Sequence, residues 1–538
     1  MQTVSTSWLK SRQSGVLLHL SSLPSQYGIG NMGTEAKHFI DYLAASGFAY
    51  WQICPAGPTG YGDSPYQTFS SFGGNPYFID IDALIEEDLL KEEETILLKN
   101  LPKDRVDYGA LYSCFFPVLD LAFERFKERS DLAEEFHSFI EERAYWLLPY
   151  STYMALKRRF YYRPWGEWPK PFRNGSDFDD SLLDARDRSE QRRQQFYQFI
   201  FFRQWDKLRS YAKEQGIQII GDVPIYVALD SSDCWQAPEA FAIDDEGQPT
   251  HVAGVPPDYF SIDGQFWGNP LYNWKRMSRD GYSWWIARLA ASFELYDAIR
   301  LDHFRGFDSY WEIPSDAADA TEGRWRKGPG KALFDAIESA IPHAKFIAED
   351  LGYINRDVFE LRRQTGFPGM KIMQFGYGHD DNNVNLPHFF DANQVVYTGT
   401  HDNNSLRGWY ETLDRQTRNL VNAYFKTNEK EACWSIIQAA FSSVARLCVV
   451  PAQDILNLPA ASRMNTPGTA DENWQWRLTH QQLETLASDY REPYLALNQL
   501  YNRIDDHAQR DFSAPPLVLV DNVQSQESPQ ETASQTAI

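Results

Sequence analysis

The sequence has 538 residues, with 51 Lys and Arg against 74 Asp and Glu, which gives a formal net charge of −23. Such an acidic chain is a poor match for nucleic acid, because binding to phosphates needs a basic face. No apolar run approaches the roughly 20 residues of a membrane-spanning helix, so no membrane association is expected. The five cysteines form no close pair, which predicts reduced thiols and a cytoplasmic protein.

Eight short apolar runs predict buried strands in chain order. They cover residues 15–20, 50–54, 217–220, 298–301, 345–348, 371–375, 395–397 and 447–450. Helical patterns separate most of these runs, at residues 34–46, 191–214, 282–296, 331–341 and 355–365. In the last of these helices, Asn355 is suited to cap the start and Gly366 to end it. Strands that alternate with helices in this way predict an α/β fold of the (β/α)8 TIM barrel type.

The spacing between the predicted strands is uneven, which indicates large insertions into the barrel. We expect residues 1–83 to begin the barrel, residues 84–205 to form a mainly helical insertion, and residues 206–500 to complete the barrel. Within the last range, residues 230–280 are rich in Pro, Gly, Asp and Trp and predict a long ordered loop. Residues 501–538 form a polar C-terminal segment, predicted to be disordered from about residue 524, so no separate C-terminal β domain is expected.

Acidic residues follow four of the predicted strands, where the active sites of such barrels lie. These strand ends carry Asp222, Asp302, Glu349 with Asp350, and Asp402, accompanied by Arg300, His303 and His401. Packed carboxylates repel one another, so a fold keeps such a cluster mainly where function uses it or a metal neutralises it. Three uses compete: glycosidic bond chemistry, a metal site of the amidohydrolase kind, and a glucan-binding barrel without catalysis.

Two further observations bear on these alternatives. A metal site of the amidohydrolase kind would need a His-x-His motif after the first strand, and only His19 stands there. Aromatic residues make up 15% of the chain, which suits a site for sugars because the apolar face of a pyranose stacks on flat rings. Most of these rings are nevertheless expected in the core, Trp235 and Trp474 among them.

Six segments resemble motifs of one protein family. Residues 300–306 (RLDHFRG), 348–352 (AEDLG) and 400–403 (THDN) resemble the nucleophile, acid/base and third-carboxylate motifs of the α-amylase clan. Residues 12–19 with 27–30, residues 62–67 (GDSPYQ), and residues 254–261 (GVPPDYFS) with 264–272 resemble the 4-α-glucanotransferases within that clan. This family, glycoside hydrolase family 77, is also known as the amylomaltases or disproportionating enzymes. The likeness covers roughly residues 8–500.

The resemblance implies a retaining double displacement on α-1,4-glucans. Asp302 would be the nucleophile, Glu349 the general acid and base, and Asp402 the group that holds the distorted sugar ring. Retention of configuration implies that the carboxyl groups of Asp302 and Glu349 lie about 5–5.5 Å apart. Arg300, two residues before Asp302, would point to the same side of the strand and keep that carboxylate ionised. Asp350 is expected to turn away from the sugar.

The resemblance also implies which other residues bind substrate. Ser64 and Tyr66 would present a ring on the acceptor side, and Asp258 and Trp267 lie in a loop suited to cover the groove. The remaining candidates are Asp222, Arg300, His303 and His401. The partners would be malto-oligosaccharides, glucose and starch- or glycogen-type glucan, with no cofactor and no metal. The carboxylates alone do not separate a transferase from a hydrolase, because the outcome depends on which hydroxyl reaches the intermediate first.

Overall fold

The strands of the protein are short, with three to six residues each. The computed structural model describes residues 7–60, 62–257, 263–352, 354–377, 383–469 and 472–504. In chain order the strands are Gln13–Leu17 (β1), Tyr50–Gln52 (β2), Gln218–Val223 (β3), His251–Val255 (β4), Gln265–Pro270 (β5), Ala298–Leu301 (β6), Ser309–Pro314 (β7), Arg324–Lys327 (β8), Phe346–Ala348 (β9), Gly369–Ile372 (β10), Gln394–Tyr397 (β11) and Leu447–Pro451 (β12).

The α-helices of the described residues vary from single turns to 30 residues. They are Thr34–Ala45 (α1), Ile81–Glu86 (α2), Ile96–Lys99 (α3), Tyr108–Phe126 (α4), Ala133–Glu142 (α5), Ala144–Arg159 (α6), Ala185–Glu214 (α7), Ser232–Gln236 (α8), Trp274–Arg279 (α9), Ser283–Leu295 (α10), Arg305–Asp308 (α11), Lys331–Ala340 (α12), Arg356–Thr365 (α13), Leu406–Thr412 (α14), Arg415–Phe425 (α15), Ala432–Ser442 (α16), Ala452–Ile455 (α17), His480–Thr485 (α18) and Arg491–Leu500 (α19).

Eight of the strands close into a parallel barrel, in the order β1-β12-β11-β10-β9-β6-β3-β2. Each of the eight predicted strands overlaps one of these barrel strands, so the predicted (β/α)8 fold is confirmed. The first strands approach each other closely at Gly15, where an added Cβ would lie 2.8 Å from the Tyr50 carbonyl oxygen. Buried side chains of alternate strand positions, such as Ile220, Ala298 and Ile347, fill the barrel interior.

The register of the barrel strands brings specific polar residues side by side. Asp222 on β3 is paired with Arg300 on β6, so the carboxylate and the guanidinium group stand at the same level of the barrel. Further along β6, Leu301 is paired with Ala348 on β9. Asp302 and Glu349 directly follow these two adjacent strands. Because neighbouring strands lie about 4.8 Å apart, the register places the two acidic residues next to each other at the carboxyl end of the barrel.

The helices follow the local signals of the sequence. The Asn355 side chain accepts a hydrogen bond from the Val358 N–H (3.0 Å) and caps α13, which ends at Gly366 with a left-handed φ of 73°. Helix α7 begins at a capping box of Asp184 and Asp187. It continues from the helical region at 84–205 to the barrel strand β3, so a single helix belongs to both parts.

A second sheet lies outside the barrel and differs from what the sequence predicts for residues 230–280. Strands β4 and β5 of this segment join β7 and β8 in a four-stranded antiparallel sheet, in the order β5-β4-β7-β8. The segment therefore contains strands and helices, where a long loop is predicted. The sheet depends on pairing between β4 and β7, which are far apart in sequence, and all four residues of β8 are exposed. Alternating hydrophobicity does not mark such a strand.

The remaining predictions concern the cysteines, membrane-spanning helices, metal sites and the C-terminal segment. All five cysteines lie in the described residues and are unpaired thiols. Within the same ranges, no helix combines the length and hydropathy that a membrane crossing requires. In that part of the chain, no three or more His, Cys, Asp or Glu side chains are grouped in a way that could hold a metal ion. The C-terminal segment predicted as disordered lies outside the described residues, which end at residue 504.

Candidate active site

Arg300 is the centre of the acidic cluster at the carboxyl end of the barrel. Its Nη1 atom donates to both carboxylate oxygens of Asp222 (2.9 and 2.7 Å) and lies 2.9 Å from Oδ1 of Asp302. Arg300 and Asp222 are buried, whereas 28% of the Asp302 side chain is exposed. One buried cation therefore balances two carboxylates, and the more exposed of the two remains open to a ligand.

Glu349 occupies a more enclosed position beside this pair. Its carboxyl oxygens accept hydrogen bonds from the backbone N–H groups of His303 (2.8 Å) and Leu351 (2.9 Å). Desolvation raises the pKa of Glu349 to about 7; the Arg300 charge opposes the shift and the Asp302 charge adds to it. Two backbone N–H groups thus hold the Glu349 carboxyl group in place, and its pKa lies near neutral pH.

The carboxylate next to Glu349 in the sequence points elsewhere. Asp350 forms an ion pair with Nε of Arg362 on α13 (3.0 Å) and accepts a hydrogen bond from the Met370 N–H (2.7 Å). These contacts tie Asp350 to the helix α13 and to the strand β10. The structure therefore separates the two adjacent acidic residues, with one in the cluster and one in the supporting structure.

The fourth acidic strand end, after β11, carries a paired histidine and carboxylate. Nε2 of His401 lies 3.2 Å from Oδ2 of Asp402, and the Asn465 Nδ2 donates to the other oxygen (2.6 Å). Desolvation acts to raise the pKa of Asp402, but 41% of the side chain stays exposed, and His401 and Asn465 lower the pKa to about 2. Desolvation likewise acts to lower the pKa of His401, and the neighbouring carboxylate outweighs it and raises this pKa above its usual value.

Contacts between aromatic rings connect the Asp222 side of the cluster with Asp402. The Tyr66 hydroxyl donates to Oδ2 of Asp222 (2.8 Å), and its ring stacks on that of His401 at 5.1 Å between centroids. The ring of Trp474 lies 5.7 Å from both of these rings. Ser64 lies in the same loop as Tyr66, and its hydroxyl accepts a hydrogen bond from the Tyr66 N–H (3.2 Å).

Trp267 and His303 lie on the other side of the cluster. The two rings meet edge to face, 4.9 Å apart, and the Trp267 Nε1 donates to Oε1 of Gln265 (3.1 Å). His303 has a left-handed backbone (φ 49°), and desolvation lowers its pKa to about 4, so its ring is neutral at pH 7. Trp267 lies on the strand β5 rather than in a loop. Asp258, predicted to cover the groove, lies outside the described residues.

Three residues near this cluster are missing from the sequence-based set of site residues. Asn465 and Arg463 both contact Asp402, the latter through a hydrogen bond to its backbone oxygen (2.5 Å). They follow the eighth barrel strand, β12, so the rule that strand ends carry the site extends to them. Trp474 is buried, as predicted for a core residue, but its ring borders Tyr66 and His401.

Comparison with known proteins identifies the family of the chain. A family model described as 4-alpha-glucanotransferase matches residues 18–483. The chain belongs to the 4-alpha-glucanotransferase family. A 4-alpha-glucanotransferase of Streptococcus pneumoniae is 45% identical over 507 residues, covering 93% of this chain and 99% of the relative. One of Thermus thermophilus is 46% identical over 479 residues, covering 87% and 95%. Like its relatives, the protein is a glycosyltransferase that acts on α-glucans.

A solved structure agrees with this family assignment. An amylomaltase from Streptococcus agalactiae in complex with acarbose superposes with a TM-score of 0.88 at 37% sequence identity. The match covers 92% of this chain and 100% of the amylomaltase chain. The barrel and its insertions are therefore shared along nearly the whole length of both proteins.

Proposed function

We propose that this glycosyltransferase moves α-1,4-glucan segments by a double displacement, with Asp302 as nucleophile, Glu349 as acid and base, and Asp402 as a stabiliser of the sugar. In the first step, a carboxylate oxygen of Asp302 attacks the anomeric carbon, the glycosidic C–O bond breaks, and the leaving oxygen takes the Glu349 proton. In the second step, Glu349 removes the proton of an acceptor hydroxyl, which displaces Asp302. The arrangement of Asp302 and Glu349 on adjacent strand ends carries this proposal.

The charges around Glu349 support its change of role between the two steps. The Asp302 charge raises the pKa of Glu349, which favours the protonated acid before the first step. Once Asp302 carries the glycosyl group as an ester, that charge is gone. Arg300, which acts to lower the same pKa, remains. The pKa of Glu349 then falls, so the glutamate is ionised when it has to serve as the base.

Asp402 is suited to hold sugar hydroxyls because its position is fixed on both sides. His401 contacts one carboxylate oxygen and Asn465 the other, and the exposed part of the side chain remains available to a ligand. A carboxylate accepts hydrogen bonds from two neighbouring hydroxyls, such as those at positions 2 and 3 of a glucosyl ring. Such bonds strengthen as the ring flattens towards the transition state.

The substrate-binding residues of the proposal line the two sides of the cluster. On one side are Tyr66, supported by Ser64, and Asp222; on the other are Trp267 and His303. Between these two sides, Arg300 contacts the Asp302 carboxylate and His401 contacts the Asp402 carboxylate. Rings on both sides would exclude water and hold a sugar acceptor, which favours transfer over hydrolysis. We propose malto-oligosaccharides, glucose and starch- or glycogen-type glucan as the substrates, and the cytoplasm, which suits five unpaired cysteines, as the compartment.

Incubation with maltotriose alone tests the transfer reaction. We expect glucose together with a ladder of longer malto-oligosaccharides, separated by chromatography, because each glycosyl-enzyme is intercepted by a second sugar. A heat-denatured sample serves as the control. Glucose and maltose without longer products would identify a hydrolase, and binding without turnover would identify a glucan-binding barrel.

The pH dependence of donor cleavage tests the role of Glu349. The first step needs the protonated glutamate, so kcat/KM for maltotriose should be level below the pKa of about 7. Above this pH it should fall by about tenfold per unit, as the acid form is lost. Initial rates between pH 5 and 9 would show this fall in kcat/KM. The Glu349→Gln variant should not show it. A rate that rises steadily through pH 8 would contradict the assignment.

A further inference from the structure

Asp454 is a buried carboxylate at the carboxyl end of the barrel. It lies in the single-turn helix α17, which directly follows the strand β12, and only 2% of the residue is exposed. Desolvation raises the pKa of Asp454 to about 6, and two hydrogen bonds act to lower it. Among the residues that the structure describes, no Lys, Arg or His side chain forms an ion pair with it. A carboxylate without a cation is costly to bury, and such groups are concentrated at functional sites.

The two hydrogen bonds of Asp454 come from opposite ends of one loop. The Thr398 hydroxyl donates to its Oδ2 atom and the Leu406 N–H to its Oδ1 atom, both at 2.6 Å. Thr398 directly follows the strand β11, and Leu406 is the first residue of the helix α14. One carboxylate therefore joins the beginning and the end of residues 398–406. Hydrogen bonds to an ionised group are about twice as strong as those between neutral groups, so both ends of the loop are fixed relative to β12.

The residues between these ends form a closed unit that carries Asp402. The Thr400 hydroxyl donates to Oδ1 of Asn403 (2.9 Å) and accepts a hydrogen bond from the Asp402 N–H (3.3 Å). The same oxygen of Asn403 also accepts a hydrogen bond from the Thr400 N–H (2.8 Å). Because these bonds tie the loop to itself, a shift of its ends would move the Asp402 carboxylate with them.

We propose that Asp454 is a positioning residue for glycosyl transfer, which sets the place of Asp402 through both ends of the loop 398–406. The inference rests on the proposed function, in which Asp402 holds the sugar ring as it distorts. Asn465 and Arg463 contact Asp402 directly, whereas Asp454 acts through the loop and does not touch the substrate. Such positioning matters most in the transition state, where a shift of about 1 Å can lower the rate about 10²-fold.

Replacement of Asp454 tests this role by the response of kcat and KM. Asp454→Ala removes both hydrogen bonds, so kcat for maltotriose should fall about tenfold to 10²-fold, whereas KM should change by less than about threefold. Asp454→Asn should lower kcat by less than about threefold. Its amide oxygen can still accept the Leu406 N–H, and its amide nitrogen can donate to the Thr398 hydroxyl oxygen.

A double-mutant cycle with Asp402→Ala separates positioning from a general loss of stability. Asp402→Ala alone should lower kcat about 10²- to 10³-fold, the usual effect of losing one contact to the transition state. In the Asp402→Ala background, Asp454→Ala should lower kcat by less than a further threefold or so, because the carboxylate that it positions is absent.

Asp297→Ala is the matched control. Like Asp454, Asp297 accepts one hydrogen bond from the backbone, the Ile219 N–H (2.8 Å), and one from a side chain, that of Arg209 (2.9 Å). It directly precedes β6, at the amino end of the barrel and therefore opposite the candidate active site. Asp297→Ala should lower the melting temperature but leave kcat within about twofold of its value in the unmodified protein.

The possible outcomes distinguish this inference from the proposed function. An unchanged kcat in Asp454→Ala, or an equal loss of kcat with and without Asp402, would overturn the inference alone. If Asp402→Ala kept the full rate, the role of Asp402 in the proposed function would be refuted. Should Asp454→Ala be too unstable to assay, Thr398→Val makes the same comparison, because it removes one of the two hydrogen bonds and keeps the shape of the side chain.

Discussion

Replacement of Asp302 by asparagine is expected to lower kcat for maltotriose on the order of 10⁴-fold or more, while the affinity for malto-oligosaccharides changes little. The amide has nearly the shape of the carboxylate and still offers Oδ1 to Arg300, which lies 2.9 Å away. It is too weak a nucleophile, however, to form the ester intermediate. The fold should persist, because Asp222 continues to balance the buried guanidinium group. Chromatography of the product ladder gives the rate, and calorimetry with maltotriose gives the affinity.

Asp308→Asn is the matched control for this variant. Asp308 lies six residues after Asp302, at the end of α11, and is paired with Lys327 at 3.3 Å. Its replacement removes the same charge from a partly exposed ion pair, so the rate should stay within about twofold of the unmodified protein. If Asp302→Asn retained more than about one per cent of the rate, the nucleophile would have to be another group. Loss of affinity together with the rate would assign Asp302 to binding instead.

Much of the fold could be predicted because each barrel strand carries its own local signal. A buried parallel strand is a short apolar run, and the helix that follows it is amphipathic and ends at a glycine or polar cap. Such signals depend on nearby residues only. In a parallel barrel all strands end at the same face, so acidic residues after separate strands can be assigned to one cluster before any contact is known. The grouping of Asp222, Asp302 and Glu349 around Arg300 follows from this rule and from the strand register.

The parts that escaped prediction depend on contacts between distant segments. The antiparallel sheet requires β4 to pair with β7, and its edge strand β8 is fully exposed, so no apolar pattern marks it. Asn465 contacts Asp402 across 63 positions of the sequence, and a single amide carries no local pattern. Trp474 is a large aromatic residue, which the sequence predicts to lie in the core. Only the fold shows that its ring also contacts His401 in the candidate active site.

Replacement of Glu349 by glutamine is expected to affect two kinds of donor differently. With maltotriose, whose leaving oxygen needs a proton, kcat should fall about 10²- to 10⁴-fold, the usual contribution of a general acid. With α-maltosyl fluoride the first step should be nearly normal, because fluoride leaves without protonation. The glycosyl-enzyme should then accumulate, since no base activates the acceptor. Azide, which needs no base, should release it as an α-glycosyl azide, and mass spectrometry can detect both species.

Asp350→Asn separates this chemical role from a structural one at the neighbouring position. Asp350 is bound to Arg362 (3.0 Å) and to the Met370 N–H (2.7 Å), so its replacement should lower the melting temperature. Because it contributes no proton in the proposed mechanism, the ratio of rates for the two donors should not change, and azide should rescue nothing. If the Glu349→Gln variant lost both donors equally, the glutamate would position the substrate rather than protonate it. Rescue of Asp350→Asn by azide would assign the acid and base role to Asp350 and the structural role to Glu349.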